Sequence, residues 1–337
     1  MQESNLLKST VAHDPITIRI SIVIPTCARQ MSAVRLLNEL NSAGIGNRAD
    51  VEVIVVQNDK EPSVDFAEQI TAAGAKCMHQ PKKGQAAALN IGIVRAKGDL
   101  IVTIDDDVRV VDSGWLDQLV CHFEDQHVAY VAGNVLASEL TTPAQKAWEA
   151  KGGLSKGLKL KRFDSSFFNM KSFRGLPLRF VACGANAALR KDVLERVGLY
   201  NELFGVGSYV GHSQSHEICY KILREGFTAV YDPTAILEHD HPRDWASLRR
   251  RMYNYGIGDT AVQMHFFITY FDFRGLREAL FGRQFYLFGN LLRRIRGKYS
   301  LPVSLILCSM IGAALGPLVY IVAVGRNKLN NHLSSIM

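Results

Sequence analysis

The sequence has six cysteines but no pair at CxxC spacing, so neither a zinc site nor a disulfide framework is indicated, and a reducing compartment is expected. It has no P-loop lysine motif. No GxGxxG opens the first helix, and the chain turns there through Pro25-Thr26-Cys27-Ala28-Arg29. These absences argue against P-loop kinase and dinucleotide-dehydrogenase chemistry. Met1 to Pro15 is polar and has no apolar signal core, so secretion is not expected. No internal repeat and no low-complexity tract is present, which excludes solenoid and array architectures.

What is present begins with size and core. The chain has 337 residues, 47% of them hydrophobic, and a formal net charge of +7. That is enough for one large domain or two smaller ones. The basic excess clusters late, at Arg249-Arg250-Arg251 and at Arg293-Arg294-Ile295-Arg296-Gly297-Lys298, and such clusters suit an anionic partner. The most informative stretch is Gly98 to Asp107. Leu100 to Ile104 reads as a short buried strand, and three consecutive carboxylates, Asp105, Asp106 and Asp107, follow it. Adjacent carboxylates oppose one another's ionisation unless a counter-charge is supplied. A hard divalent cation, Mg²⁺ or Mn²⁺, supplies it, and could carry a nucleotide diphosphate.

Strand-like and helix-like segments alternate before the triplet. Ile16 to Thr26 predicts a first strand, Ser32 to Asn41 a helix, Val51 to Val56 a second strand and Val64 to Ala73 a helix. Cys77 to His79 predicts a short third strand, and Gly84 to Ala96 a helix. This alternation indicates an α/β fold with a mainly parallel, doubly wound sheet. Right-handed crossovers would bring Thr26, Asn58 and Asp105 to Asp107 to one edge, where such sheets bind ligands.

Several blocks together carry a resemblance. Ser21-Ile22-Val23-Ile24-Pro25-Thr26, Val53 to Asn58, Lys83-Gly84-Gln85-Ala86-Ala87-Ala88-Leu89-Asn90, the aspartate triplet, and Cys183 to Leu194 followed by Val197-Gly198 stand in order. Over roughly residues 18 to 245 this arrangement resembles family 2 glycosyltransferases of the GT-A fold. The resemblance implies a nucleotide-sugar donor, an acceptor hydroxyl and an inverting transfer. It implies Thr26 and Asn58 at the nucleotide base, and Lys83 and Asn90 near ribose and diphosphate. Asp105 would face ribose or sugar, and Asp106 and Asp107 would hold the metal. Asp232 to His241 resembles the family's late strand ending in histidine, so that His239 or His241 would add an imidazole ligand, with His239 the choice here.

One block departs from the pattern. Where the family has Glu-Asp-x-Asp, this chain has Gln214-Ser215-His216-Glu217. The carboxylate pair that supplies the catalytic base is therefore an amide and a hydroxyl. Glu217 is the remaining acid and the candidate base, with His216 and His212 as alternatives. The rival is a membrane-tethered pseudoenzyme that keeps the fold and holds nucleotide-sugar without catalysis.

The C-terminal part points to a membrane. Trp245 to Phe288 interleaves aromatics with arginines, a mixture found at lipid headgroups. Tyr299 to Gly325 then contains no charged residue over 27 positions, and a membrane-spanning helix needs ~20 apolar residues. Gly316-Pro317 could kink it into a re-entrant form. The expected organisation is a GT-A domain over 16–245, an aromatic and basic interfacial helical region over 246–298, and a membrane segment over 299–325. The chain would sit on the cytoplasmic face of the membrane, in contact with its lipids. A glycan or lipid-linked acceptor in surface polysaccharide or glycolipid synthesis fits this arrangement, and no nucleic acid partner is expected.

Overall fold

The structure, a computed structural model, describes residues 19–172 and 175–336. The start of the expected first strand, 16–18, lies outside the described residues. The strands are β1 (Ile20–Thr26), β2 (Val51–Gln57), β3 (Lys76–His79), β4 (Leu100–Ile104), β5 (Val108–Val110), β6 (Val128–Ala137), β7 (Lys161–Phe163), β8 (Asn186–Arg190) and β9 (Thr228–His239). They form one sheet in the order β3-β2-β1-β4-β8-β6-β9-β5, and β7 also pairs with β9.

The first four strands are parallel to one another. Between them run α1 (Gln30–Ser42), α2 (Val64–Ala72) and α3 (Gln85–Arg95). Both β1 and β4 are buried along their whole length, which is why their sequences are continuously apolar rather than alternating. Beyond β4 the sheet is mixed. β8 runs antiparallel to both β4 and β6, while β6 and β9 are parallel.

The remaining helices are α4 (Trp115–Val120), α5 (Pro143–Ala150), α6 (Ser165–Phe168), α7 (Lys191–Val197), α8 (Gln214–Arg224), α9 (Trp245–Tyr270), α10 (Phe273–Arg277), α11 (Arg283–Ile295) and α12 (Val303–Ile336). A π-helical turn, Glu278–Gly282, joins α10 to α11. α9 belongs to the core of the sheet domain, to which it contributes Ile257, Ala261, Val262, Met264 and Phe266.

α12 lies along α9, and glycine sets their approach. A Cβ on Gly312 would stand 2.1 Å from the Tyr253 carbonyl oxygen, and one on Gly256 2.4 Å from that of Ser309. Small residues let helix backbones approach this closely. Polar contacts fix the seam: Thr260 Oγ1 donates to the Ala313 carbonyl (2.9 Å), and His265 Nδ1 lies 2.8 Å from the Tyr320 hydroxyl. Val303–Leu329 is long and apolar enough to cross a membrane by length and composition. Its outer face exposes Leu307, Ile311, Leu315, Leu318 and Val322, at three- and four-residue spacing.

Candidate functional site

The site is made by the way β4, β5 and β9 meet. β4 ends at Ile104, and the chain turns through the aspartate triplet into β5. β5 pairs antiparallel with the end of β9, in a register that sets Val108 opposite His239. The Asp240 amide donates to the Asp107 carbonyl at 3.1 Å. The last residue of β9 is thereby delivered to the triplet, 134 positions from Asp105 in the chain.

Ligand atoms of Asp105, Asp107 and His239 lie within 4.8 Å of one another. His239 Nε2 is 3.4 Å from Asp107 Oδ1. The sequence assigns the metal to Asp106, Asp107 and His239; the groups whose ligand atoms cluster in the structure are Asp105, Asp107 and His239. In the turn between β4 and β5, Asp106 is fully buried, where it accepts a hydrogen bond from Thr26 Oγ1 (2.7 Å) and pairs with Arg29 Nη2 (2.5 Å). Arg29 also pairs with Asp107. His241 is directed elsewhere, with Nε2 3.3 Å from Glu149 Oε2.

The electrostatics of the triplet are those of an underpaired acidic site. Burial, then the two neighbouring carboxylates, push the Asp105 carboxyl up to about 7. Burial raises Asp106 to about 6 against the pull of Arg29. Asp107 is also buried, yet His239, Arg29 and Arg251 together hold it below the ordinary carboxylate range. Asp107 Oδ1 and His239 Nδ1 have no hydrogen-bond partner. Two carboxylates and an imidazole with unsatisfied buried atoms fit Mg²⁺ or Mn²⁺.

The other expected site residues shape the surroundings. Asn58 spends its amide on the chain that follows β3: Nδ2 donates to the carbonyls of Gln80 and Lys82, and Oδ1 accepts from the Gly84 amide, all at 2.8 Å. This holds Gly84 at φ +141° at the start of α3, a conformation that favours glycine. Lys83 is exposed on that loop. Asn90 bonds the Tyr200 backbone through both its amide nitrogen and its oxygen, and its nitrogen also reaches Glu202 Oε1.

Gln85, which the sequence does not single out, proves central. Its Nε2 donates to Asp105 Oδ1 (2.6 Å), and its Oε1 accepts from Gln214 Nε2 (2.8 Å). The amide at the start of α8 thus joins the acidic site through a two-bond relay. Its place directly after Lys83-Gly84 was the only signal available. Glu217 is 2% exposed, and its Oε1 lies 3.3 Å from Lys221 Nζ and 3.8 Å from His265 Nε2. Among the described residues, its contacts do not include the triplet.

α9 walls the opposite side. The Tyr255 ring lies 4.1 Å from the His212 ring, and Asp259 pairs with Arg283. Burial, then the neighbouring His216, lowers His212 to about 3, and burial lowers His216 to about 4, so both imidazoles are neutral. Asp259 stays below the ordinary range: burial opposes its ionisation, and the charge of Arg283 beside it is the main influence that outweighs burial.

A mixed sheet thus gathers two carboxylates and an imidazole at its strand ends, with ligand atoms close enough together to hold a divalent cation. Residues 21–198, more than half of the chain, match glycosyl transferase family 2, and the chain belongs to that family, with the mixed sheet of its GT-A class. The pre-mycofactocin glycosyltransferase of Mycobacterium tuberculosis is 27% identical over 271 residues, which are 77% of this chain and 52% of that protein. The chain thus spans about half the length of that relative. The glycosyltransferase AglE of Haloferax volcanii is 26% identical over 251 residues, 73% of this chain and 74% of that protein. Among solved structures, the mannosyltransferase PcManGT of Pyrobaculum calidifontis, in complex with GDP-Man and Mn²⁺, is similar with a TM-score of 0.49. It is 14% identical, with 93% of this chain and 75% of that one covered.

Proposed function

We propose that the protein transfers a sugar from a nucleotide-sugar donor to an acceptor hydroxyl, with inversion and with dependence on a divalent metal. The observation that carries this reading is the convergence of Asp105, Asp107 and His239, with Asp107 Oδ1 and His239 Nδ1 left without hydrogen-bond partners. A bound Mg²⁺ or Mn²⁺ would neutralise the diphosphate that leaves as the sugar–phosphate bond breaks. Thr26 and Arg29 hold Asp106, and so fix the turn that presents Asp105 and Asp107. Gln85 orients the Asp105 carboxylate. The attacking hydroxyl must lose its proton. Asp259, His212 and His216 stand on the acceptor wall as the titratable groups available to take it.

The same reading places the protein at a membrane surface. α11 exposes Phe285, Tyr286 and Phe288 and ends in Arg293 and Arg294, and the outer face of α12 is an unbroken apolar stripe. Because the inner face of α12 is fastened to α9, the helix pair is suited to lie in the interface, with the site turned toward lipid-borne acceptors on the cytoplasmic side. Two measurements test the reading. Detergent-extracted protein, screened against nucleotide-sugars, should release nucleoside diphosphate with Mg²⁺ or Mn²⁺ and stop on chelation. No release across the panel, together with metal-dependent nucleotide binding, favours the pseudoenzyme. The double substitution Ile311→Ser, Leu318→Ser leaves the seam intact and should weaken flotation with vesicles. Undiminished flotation removes α12 from the membrane contact.

A further inference from the structure

Arg29 stands where the first strand meets the aspartate triplet, and its backbone is fixed on both sides. The preceding residue, Ala28, has φ +56°, a conformation uncommon for a residue with a side chain. The Ala28 amide donates to Asp59 Oδ1 at 3.0 Å, which ties this turn to the chain leaving β2. The Arg29 carbonyl accepts from the Ser32 amide at 2.9 Å and so opens α1. From this fixed start the side chain reaches the triplet, yet half of it remains exposed.

The guanidinium divides its two ends between unlike carboxylates. Nη2 pairs with Asp106 Oδ1, and Asp106 is fully buried and held by Thr26 as well. Nη1 pairs with Asp107 Oδ2. The Asp107 side chain is 14% exposed, and no second side chain holds that oxygen. Its other oxygen, Oδ1, lies 3.4 Å from His239 Nε2 and makes no hydrogen bond. Asp107 therefore turns one oxygen toward its partner in the cation cluster and the other toward Arg29. A purely structural arginine would be expected to spend both ends on the buried carboxylate, in the bidentate pairing that its planar fork favours.

This placement has a consequence for charge. A guanidinium keeps its charge at every pH at which the protein folds. Standing one carboxylate away from the cluster, it repels a lone cation there, and more strongly than it would in open water. Toward a diphosphate the same charge is attractive, and the fork matches phosphate oxygens.

We propose that Arg29 couples the cation to the diphosphate, so that the two bind well together and the cation binds poorly alone. Nη1 exchanges Asp107 Oδ2 for a phosphate oxygen, while Nη2 keeps Asp106 in its turn. This rests on the nucleotide-sugar reading for the source of the diphosphate, but not for the effect of Arg29 on the cation or on a diphosphate as such.

The test uses the full chain and the variants Arg29→Gln and Arg29→Lys, and it reads binding rather than turnover. Three probes are compared: Mn²⁺ alone, followed by the electron paramagnetic resonance signal of the free ion, then inorganic pyrophosphate and nucleoside diphosphates, each by calorimetry in saturating Mn²⁺. Arg29→Gln should bind Mn²⁺ alone about tenfold more tightly than the parent and pyrophosphate about tenfold more weakly. Arg29→Lys keeps the charge and gives up the fork, so Mn²⁺ alone should bind as in the parent and pyrophosphate several-fold more weakly. Weaker Mn²⁺ binding in Arg29→Gln would make Arg29 a brace for the turn and overturn the proposal. Unchanged pyrophosphate affinity in both variants would overturn it too, because the exchange would then not occur. Pyrophosphate affinity that falls as expected, with nucleoside diphosphates bound no better than pyrophosphate by the parent, would support the proposal and count instead against the nucleotide-sugar reading.

Discussion

The two ends of β1 and β2 treat carboxylates in opposite ways. At their starts, Glu52 accepts hydrogen bonds from Ser21 Oγ and the Lys97 amide, both at 2.5 Å, and pairs with Lys76. Burial opposes its ionisation, yet these donors outweigh burial and hold it at about 2. At the other end of the sheet, three consecutive aspartates share one guanidinium, and Asp105 stands at about 7. Both places are acidic and partly buried, so burial does not distinguish them. The supply of donors does. Glu52 has a partner for each oxygen, which suits a group that holds strands together. The triplet leaves charge and lone pairs uncommitted, which suits a group that awaits a cation.

The largest effect expected from this contrast is at Asp107. Asp107→Asn removes one charge from a crowded site and should lower sugar-transfer turnover by about 10²–10³-fold, the loss typical of one electrostatic contact in a transition state. The thermal midpoint should change little, because relief of repulsion at Asp105 and Asp106 offsets the lost pairing with Arg29 and His239. Steady-state rates and melting curves measure both, and a lower midpoint with unchanged turnover would reverse the assignment. Glu52→Gln comes next, with the opposite signature. It should cost on the order of 2 kcal/mol of stability and leave turnover near normal. The sign of its pH dependence follows from a lowered carboxyl. The native pKa lies below the ordinary ~4.3, so the stabilisation is complete above that value and disappears as pH falls toward 2. Urea unfolding at pH 7 and pH 3 should show the gap between parent and variant narrowing in acid.

How much of this was legible depended on whether a residue's role is local. The run Leu100 to Ile104 and the triplet after it are contiguous, and both lie where the sequence predicts them. His239 was legible as the end of a strand, though its approach to Asp107 needs the β5–β9 register. That Asp105 rather than Asp106 clusters with Asp107 and His239 follows from Thr26 and Arg29 taking up Asp106 in the turn, a contact that charge counting ignores. Thr26 and Asn58 are at or near the ends of the expected strands and Asn90 is midway along an expected helix, but their hydrogen bonds go to Asp106, to the loop after β3 and to Tyr200. Those bonds tie residues 110 apart in the case of Asn90, and sequence spacing carries no trace of them. α9 was hardest to read. Its aromatics and arginines resemble an interfacial helix, yet it is covered by the sheet domain on one side and α12 on the other. Such a helix has no polar face to betray its setting.

The smallest predicted loss of stability belongs to Glu217, and it sharpens the comparison because Glu217 resembles Glu52 more than Asp107. It lies within the first turn of α8, 2% exposed, beside Lys221 one turn later and His265 on α9. A carboxylate acting as base must reach the acceptor hydroxyl, directly or through one water, and would contribute about 10²–10⁴-fold in rate. Glu217 instead points into the packing between α8, α9 and α12, where His265 meets Tyr320 and Phe204. Glu217→Gln keeps the shape and a hydrogen-bonding oxygen while removing the charge. The expected result is turnover within about threefold of the parent, unchanged nucleotide affinity, and a stability loss of about 1 kcal/mol from the weakened contact with Lys221. The two outcomes differ by more than an order of magnitude in rate, so one kinetic comparison separates them. A hundredfold fall in turnover with an unaltered melting curve would return the base to Glu217, and would leave Asp259, His212 and His216 as acceptor-binding groups.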